Sequence, residues 1–311
     1  MQPAAAMPSA MIVSASYRTD IPAFYGDWFM RRLDAGFCRA VNPWGGPPAR
    51  IDLTPDAVDG FVFWTRNMRP FLDRFAAVAA RFPAVVQYTI TGYPRALEAS
   101  TVAPAQAVAD MRRLRADFGP RVAVWRYDPV LLSDLTPPDW HRANFRALAA
   151  DLAGSTDEAV ISFAHAYRKT MRNLDAAAAR HGFAWTDPED SVKRDLAAEL
   201  AAIAAEHGMR LTVCAQAAYT GDGAEAARCI DADRLSDVAG RPIAARTKGN
   251  RADCLCGQSR DIGAYESCPH GCVYCYAVAS PAAAKRRHAL HDPAGEFLIP
   301  PVTRPVPAAG P

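Results

Sequence analysis

The chain has 311 residues, of which 50% are hydrophobic and 22% charged, and its formal net charge is +2. This composition suits one large folded domain or two smaller ones, and the near-neutral charge argues against nucleic-acid binding. No apolar run has the length of a membrane span, and residues 1–10 lack the pattern of a secretory signal. We therefore expect a cytoplasmic protein that makes no membrane contact and keeps its eight cysteines reduced.

Short apolar runs alternate with helical patterns along the chain. The predicted strands are residues 11–16, 61–64, 84–90, 122–125, 159–163 and 211–213. The predicted helices are residues 21–33, with Asp20 as N-cap, and residues 104–117, 138–152 and 191–207. Residues 37–53 are rich in turn-forming residues and predict a hairpin. His141, on the third of these helices, is expected at the surface.

The alternation of strands and helices predicts a parallel sheet covered by helices on its faces. A doubly wound dinucleotide-binding sheet is the alternative, but no Gly-x-Gly-x-x-Gly follows any of the predicted strands. We therefore predict a partial or full TIM-like (βα) barrel in residues 11–248. The flanking segments are expected to be a disordered leader at 1–10, a cysteine-rich segment packed on the barrel rim at 249–290 and a Pro-rich tail at 291–311. Residues 261–264 are expected to add a strand that delivers the cysteines to the rim.

Three cysteines near the end of the chain, Cys268, Cys272 and Cys275, follow the spacing C-x3-C-x2-C, with an aromatic residue before the last. Thiolates bind soft metals and iron–sulfur clusters, and a loop this short can turn three of them toward one point. Gly271 frees the backbone to curl, and Pro269 stiffens the start of the loop. A cubane with only three ligands would leave one iron open. A zinc site and three ordinary thiols remain alternatives.

This loop resembles the cluster loop of radical S-adenosylmethionine (SAM) enzymes. In those enzymes the open iron takes the amino and carboxylate groups of SAM, and the loop usually lies near the N-terminus, after the first barrel strand. In this chain 267 residues precede Cys268, so the order of motifs would be permuted. The resemblance implies a 4Fe–4S cluster, SAM as cofactor, Tyr274 packed near the adenine and an electron donor such as flavodoxin or ferredoxin.

Four further cysteines lie in the last third of the chain. Cys214 ends a predicted strand, Cys229 follows it, and Cys254 and Cys256 form a C-x-C pair. Four thiolates are what a complete iron–sulfur cluster or a structural zinc ion needs, so the four are candidate ligands of a second metal site. The alternative is that Cys214 and Cys229 are buried core thiols, as we expect for Cys38.

Polar residues follow several predicted strands, and in TIM-like barrels the chemistry lies at the carboxyl ends of the strands. Arginine binds carboxylates through two parallel hydrogen bonds, so such residues could hold the carboxylate of SAM or an anionic substrate. The alternative is that Arg–Asp pairs only lock loops to the rim. The candidate catalytic residues are Arg18, Asp20, Arg126 and Asp128. The candidate cofactor-binding residues are Ser14, Ser16, Arg66 and Tyr274.

Four blocks of the sequence resemble signature motifs of a prokaryotic family catalogued as a domain of unknown function. The blocks are SAS-x-RTDIPAFY at 14–25, FWTRN at 63–67, WRYDP at 125–129 and DIGAY at 261–265. The family's C-terminal cysteine cluster is described as similar to the N-terminal cluster of radical SAM proteins. The resemblance covers residues 11–295 and implies a cluster at the C-x3-C-x2-C loop, but it supplies no substrate.

These observations together predict an α/β protein with a TIM-like barrel and a C-terminal cysteine-rich iron–sulfur loop. The predicted function is that of a radical SAM enzyme acting on an unknown small substrate. Its alternatives are a non-catalytic or electron-transfer iron–sulfur protein and a zinc-stabilised ligand-binding barrel. The enzyme hypothesis carries a geometric expectation. The last strand should lie beside the first, so that the three cysteines face the candidate catalytic residues.

Overall fold

The computed structural model describes residues 11–43 and 45–301. Its largest element is a sheet of eight strands in which every neighbouring pair is parallel. We number only the strands of this sheet, which are β1 Met11–Ala15, β2 Val58–Thr65, β3 Ala84–Thr89, β4 Ala123–Arg126, β5 Glu158–Ile161, β6 Arg210–Val213, β7 Ala224–Ala226 and β8 Ser259–Asp261. Their order across the sheet is β7-β6-β5-β4-β3-β2-β1-β8. The predicted leader and the tail beyond residue 301 lie outside the described residues.

From β1 to β7, each strand lies beside the strand that follows it in the chain. A (βα) barrel has this strand order. β8 adds to the free side of β1, with Ser14 opposite Asp261. In the part of the chain that the structure describes, no hydrogen-bonded ladder joins β7 to β8. The predicted parallel α/β sheet is therefore confirmed, whereas a closed barrel is not seen. The predicted strand at 261–264 lies earlier, at Ser259–Asp261.

Helices cover the sheet and connect most of its strands. They are Ile21–Phe24, Gly26–Ala35, Leu72–Ala79, Pro104–Phe118, Pro138–Leu152, Arg168–His181, Asp190–Glu206, Ala232–Ala239 and Pro281–Ala289. Asp20 caps the first helix as predicted, because its Oδ1 accepts a 3.0 Å hydrogen bond from the Ala23 N–H. The helix predicted at 21–33 is two helices, since the backbone of Tyr25 is not helical. None of the described helices is long and apolar enough to cross a membrane.

Two small antiparallel pairs lie outside the main sheet. Phe37–Ala40 pairs with Ala49–Asp52 and forms the predicted hairpin. Leu132–Ser133 pairs with Trp185–Thr186. Neither pair contributes a candidate site residue.

Side chains alternate along the strands and divide the core into two layers. On the first face, Phe61 and Phe63 of β2 pack edge-on against Phe29 of helix Gly26–Ala35. On the opposite face, Val62 belongs to a second apolar cluster with the inward residues of the neighbouring strands. Helices therefore bury the first face, and a different part of the chain must bury the second.

The chain between β7 and β8 buries this second face. Gln87 Nε2, on β3, donates a 2.9 Å hydrogen bond to the carbonyl oxygen of Cys229. Further along this segment, Arg234 is 1% exposed and pairs with Asp157 Oδ1 at 2.9 Å and Glu158 Oε2 at 2.7 Å. A buried cation is tolerated here because two carboxylates neutralise it. The apolar part of the face is filled, and polar side chains gather at the carboxyl ends of the strands.

Candidate functional site

Asp261, at the end of β8, ties the last strand of the sheet to the first. Its Oδ2 accepts a 2.8 Å hydrogen bond from Ser14 Oγ, and its Oδ1 accepts one of 2.7 Å from Ser16 Oγ. Burial raises the pKa of Asp261, although Arg18, with Nε 3.7 Å from Oδ1, and the two serines act to lower it. Sequence analysis did not select Asp261 as a site residue, although it opens the DIGAY block.

The two serines predicted to bind cofactor therefore bond to the protein itself. Trp64 Nε1 donates a further 3.2 Å hydrogen bond to Ser14 Oγ. The close approach of β8 also explains why residue 263 is glycine. A Cβ atom there would lie 2.0 Å from Ser16 Oγ and 2.5 Å from Ser16 Cβ. The DIGAY block is thus fitted to the first block of the chain.

Arg18 lies between two aromatic rings at this edge of the sheet. Its guanidinium carbon is 5.3 Å from the ring centre of Tyr17 and 5.2 Å from that of Tyr265. One of its terminal nitrogens donates a 3.2 Å hydrogen bond to the Tyr17 hydroxyl. Its Nε is buried and has no hydrogen-bond partner among the described residues. A bound carboxylate would satisfy this donor.

Arg126 and Asp128 form a closed pair. Arg126 Nε donates a 2.9 Å hydrogen bond to Asp128 Oδ1, and Arg126 Nη2 donates to Asp128 Oδ2. Arg126 Nη1 donates to Gln87 Oε1 at 3.1 Å and to Cys229 Sγ at 3.0 Å. Burial alone would lower the pKa of Arg126, but Asp128 and nearby thiols outweigh it and hold the pKa well above its usual value. Arg126 and Asp128 therefore fit the alternative that Arg–Asp pairs lock loops to the rim, rather than the expectation that they bind a ligand.

Asp20 joins β1's end to the cysteine loop. Its Oδ2 accepts a 2.7 Å hydrogen bond from the Arg66 backbone N–H and lies 2.8 Å from His270 Nε2. His270 is 2% exposed and contacts the ring of Phe24 edge-on. Asp20 is therefore already bonded on both carboxylate oxygens, one of them through the helix cap.

Arg66 and Tyr274 belong to one buried polar network with Glu98. Arg66 Nη1 donates to Glu98 Oε1 at 2.6 Å, and Arg66 Nη2 donates to the Tyr274 hydroxyl at 2.7 Å. The Tyr274 hydroxyl also donates to Glu98 Oε1. Burial raises the pKa of Tyr274 well above its usual value, which keeps the phenol a hydrogen-bond donor. Glu98 was not among the predicted site residues, because it follows no strand directly and is recognisable only through these contacts.

The cysteine loop docks on the segment that follows β3. The Val273 N–H donates a 3.0 Å hydrogen bond to the Leu97 carbonyl, and the Ser100 N–H donates one of 3.0 Å to the His270 carbonyl. Gly271 adopts φ 74°, in the left-handed region that favours glycine, as the predicted curl requires. The loop thus lies at the carboxyl end of the sheet, where the polar residues that follow the strands also lie.

Of the three loop cysteines, Cys272 is buried and Cys268 and Cys275 are partly buried. Burial raises the pKa of each, that of Cys272 to about 12, while Arg66 acts to lower it. The Ala277 N–H donates a 3.4 Å hydrogen bond to Cys275 Sγ, and Lys169 is close enough to lower the pKa of Cys275. A bound cluster deprotonates its thiols, and N–H donors and cations then stabilise the thiolates. Three thiols with such neighbours are the types of donor that an iron–sulfur cluster needs.

The other four thiols lie in or beside the second apolar cluster, where they form a series of pairwise contacts. Cys214 Sγ and Cys229 Sγ are 3.4 Å apart, and the side chains of Cys229 and Cys256, and of Cys256 and Cys254, are also hydrogen-bonded. The bond with Cys256 lowers the pKa of Cys254 to about 6. Cys38, in contrast, is fully buried in the helix-covered core, as expected.

Neither cysteine set forms a finished site by itself. In residues 11–43 and 45–301, no three side chains of His, Cys, Asp or Glu are grouped so that they could hold a metal ion as they stand.

A cavity of about 170 Å³ lies beside Arg66, Glu98 and Tyr93, and one of about 240 Å³ lies beside Ile230 and Leu255. Both are smaller than the roughly 300 Å³ at which preformed small-molecule sites begin.

The fold and the site define an α/β protein with a parallel sheet in barrel order and a three-cysteine loop at the carboxyl end of that sheet. Residues 12–277 match the family described as "Domain of unknown function (DUF1848)", and the chain belongs to this family. No curated protein and no solved structure matches the chain. The family description assigns no reaction, so function has to be inferred from the site.

Proposed function

We propose that the protein is an iron–sulfur enzyme of the radical SAM type that acts on a small substrate. The observation that carries this proposal is the pairing of β8 with β1. It brings a loop from the end of the chain to the position beside the first strand, where radical SAM enzymes hold their cluster. The permuted order of motifs is thereby compatible with the usual spatial order.

Cys268, Cys272 and Cys275 would hold the cluster, and one iron would remain for SAM. When bound, the cluster supplies one electron for reductive cleavage of SAM, which generates a radical that can abstract hydrogen from a substrate. Asp20 holds His270 and thereby orients the loop. Arg66 lies close enough to lower the pKa of Cys272, so it favours the thiolate form that metal binding needs.

Arg18 is the best-placed group for the carboxylate of SAM or of an anionic substrate. Its Nε makes no hydrogen bond in the described residues and has only a 3.7 Å ion pair with Asp261, whereas Arg126 donates two hydrogen bonds to Asp128. Tyr17 and Tyr265 flank its guanidinium and shield part of it from water. We therefore assign Arg18 to ligand binding and Arg126 with Asp128 to holding the shape of the rim.

The electron donor would be an acidic carrier such as flavodoxin or ferredoxin. Helix Pro281–Ala289 starts six residues after Cys275, and its second half exposes three cationic side chains. These are Lys285, Arg286 and Arg287. Charge complementarity of this kind steers the encounter of two proteins.

Anaerobic reconstitution with iron and sulfide tests the proposal. We expect about four irons and four sulfides at the loop, and formation of 5′-deoxyadenosine from SAM and dithionite. The Cys272→Ala variant should lose most of this iron and all of the cleavage. The Cys38→Ala variant, which removes an equally buried thiol elsewhere, should keep both. Full iron in Cys272→Ala would contradict the assignment of the ligands.

A non-catalytic or electron-transfer iron–sulfur protein is the second candidate. It is favoured by the closed pairing of Arg126 with Asp128 and of Arg66 with Glu98, which leaves few free groups for a ligand. Protein that carries a full cluster but forms no 5′-deoxyadenosine would support this candidate over the enzyme. Colourless protein with zinc at the loop would support the zinc-stabilised barrel.

A further inference from the structure

We propose that Cys214, Cys229, Cys254 and Cys256 bind a single zinc ion, at a site separate from the Cys268 loop. The site would be structural, and it does not depend on the radical chemistry proposed above. The four thiols come from two parts of the chain. Cys214 and Cys229 flank β7, and Cys254 and Cys256 precede β8.

Contacts between the sulfur atoms favour one ion over a cluster. The four side chains form a continuous series in which Cys214 contacts Cys229, Cys229 contacts Cys256, and Cys256 contacts Cys254. The Zn–S distance of about 2.3 Å in a tetrahedral site places its sulfurs roughly 3.8 Å apart. The 3.4 Å between Cys214 Sγ and Cys229 Sγ is close to that spacing. A cubane bonds each thiolate to a different iron and would force this pair apart.

The charges around the thiols match those of a tetrathiolate zinc site. Four thiolates and Zn²⁺ carry a net charge of −2, which costs free energy to bury without compensation. Arg126 Nη1 lies 3.0 Å from Cys229 Sγ, and Arg251 Nη2 lies 3.6 Å from Cys214 Sγ. The Ile230 N–H adds a 3.4 Å hydrogen bond to Cys256 Sγ. The guanidinium of Arg251, that of Arg126, which also pairs with Asp128, and a backbone donor thus surround the sulfurs, as partners of metal-bound thiolates do.

The position of the four thiols suggests what the ion would do. Between β7 and β8 the sheet lacks a hydrogen-bonded ladder in the described residues. The ion would link chain on the two sides of this gap, because its ligands leave β6 and β7 on one side and enter β8 on the other. Metal binding of this kind contributes directly to folding free energy. It would hold β8, and therefore the cysteine loop, against the rest of the sheet.

The full-length chain with Cys268, Cys272 and Cys275 all replaced by alanine gives a direct test, since it can carry no cluster at the loop. We expect one zinc ion per chain by elemental analysis after purification without chelator. Replacement of the half-buried Cys254 by serine in this background should abolish the bound zinc. Cys38→Ser in the same background is the matched control and should keep it. Cobalt in place of zinc should give the intense sulfur-to-cobalt band of a tetrathiolate site.

A second variant that keeps all four thiols separates loss of zinc binding from a folding defect caused by removal of a cysteine. Arg251→Gln should weaken zinc affinity by about tenfold or more, measured by competition with a chelator, because neighbours of metal ligands typically contribute this much. Three results would overturn the proposal. They are four freely reactive thiols in metal-free folded protein, iron with acid-labile sulfide in the triple variant, and a reducible Cys214–Cys229 disulfide in place of metal.

Discussion

The carboxylate of Asp20 lies 2.8 Å from Nε2 of His270, although 250 positions separate the two residues. The same oxygen accepts the Arg66 backbone N–H, and the other oxygen caps the first helix. One buried side chain therefore fixes the ends of β1 and β2 and the cysteine loop relative to each other. The contact between Asp20 and His270 therefore holds the sequence block at 14–25 against the C-x3-C-x2-C loop.

Replacement of Asp20 by alanine should destabilise the protein and reduce cluster loading. It removes a helix cap and leaves the buried His270 and the Arg66 N–H without an acceptor, which together should cost about 2–4 kcal/mol. Urea unfolding and iron content after reconstitution measure the two effects. Asp27→Ala, at an exposed aspartate on the next helix, is the control. Equal losses in both variants would show that the Asp20 contacts are unimportant.

The Gly263→Ala variant should weaken the attachment of β8 to β1. The new Cβ would lie 2.0 Å from Ser16 Oγ and 2.5 Å from Ser16 Cβ, so the chain after β1 or after β8 has to shift. Overpacking of this kind costs about 1–3 kcal/mol. Urea unfolding should show that loss, and a second change, Ser16→Gly, should recover part of it. No recovery in the double variant would mean that the clash is not the cause.

Stability should fall as the pH drops below neutrality, and His141 should cause much of the fall. His141 is fully buried, and burial lowers its pKa from 6.5 to about 4. The unfolded chain therefore binds a proton that the folded chain excludes, and the stability present above pH 6.5 is lost as the pH falls toward 4. The loss amounts to about 3 kcal/mol.

Urea unfolding between pH 7 and 4 measures this dependence. His141→Gln should flatten it, because glutamine does not titrate, even though the variant is less stable at pH 7. His181→Gln removes an exposed histidine and should leave the dependence unchanged. An unchanged slope in His141→Gln would assign the pH effect to other groups.

Reversal of charge on helix Pro281–Ala289 should slow reduction by a protein donor. The Lys285→Glu/Arg286→Glu variant should accept electrons from reduced flavodoxin about tenfold more slowly at low salt, because steering depends on opposite charge. Stopped-flow absorbance of the cluster measures the rate. Reduction by dithionite is the control and should not change. Equal rates with flavodoxin would exclude this helix as the docking surface.

The strands of the sheet could be predicted from sequence because each is a short, continuous apolar run. β7 and β8 are exceptions, since Ala224–Ala226 and Ser259–Asp261 are too short and too polar to stand out. The strand predicted at 261–264 starts two residues after the observed start of β8 at Ser259. Backbone pairing with β1, rather than side-chain burial, defines this strand.

Long-range charge pairing could not be predicted. Arg234, in helix Ala232–Ala239, is buried because Asp157 and Glu158 pair with it. The surface position expected for His141 is wrong for a similar reason. Tyr127 and the Leu131 carbonyl satisfy both ring nitrogens inside the core. The residues that pair with Arg234 and His141 are brought to them by tertiary packing, so no local sequence pattern predicts these contacts.

The position of β8 beside β1 has a consequence for biosynthesis. The ribosome makes β1 first and β8 last, so one edge of β1 stays unpaired while more than two hundred residues are translated. An unpaired parallel edge is a site where nascent chains associate wrongly. The cysteine loop emerges only after its docking segment behind β3 has been synthesised. The proposed cluster would therefore be inserted only after Cys275, the last of its three ligands, has been translated.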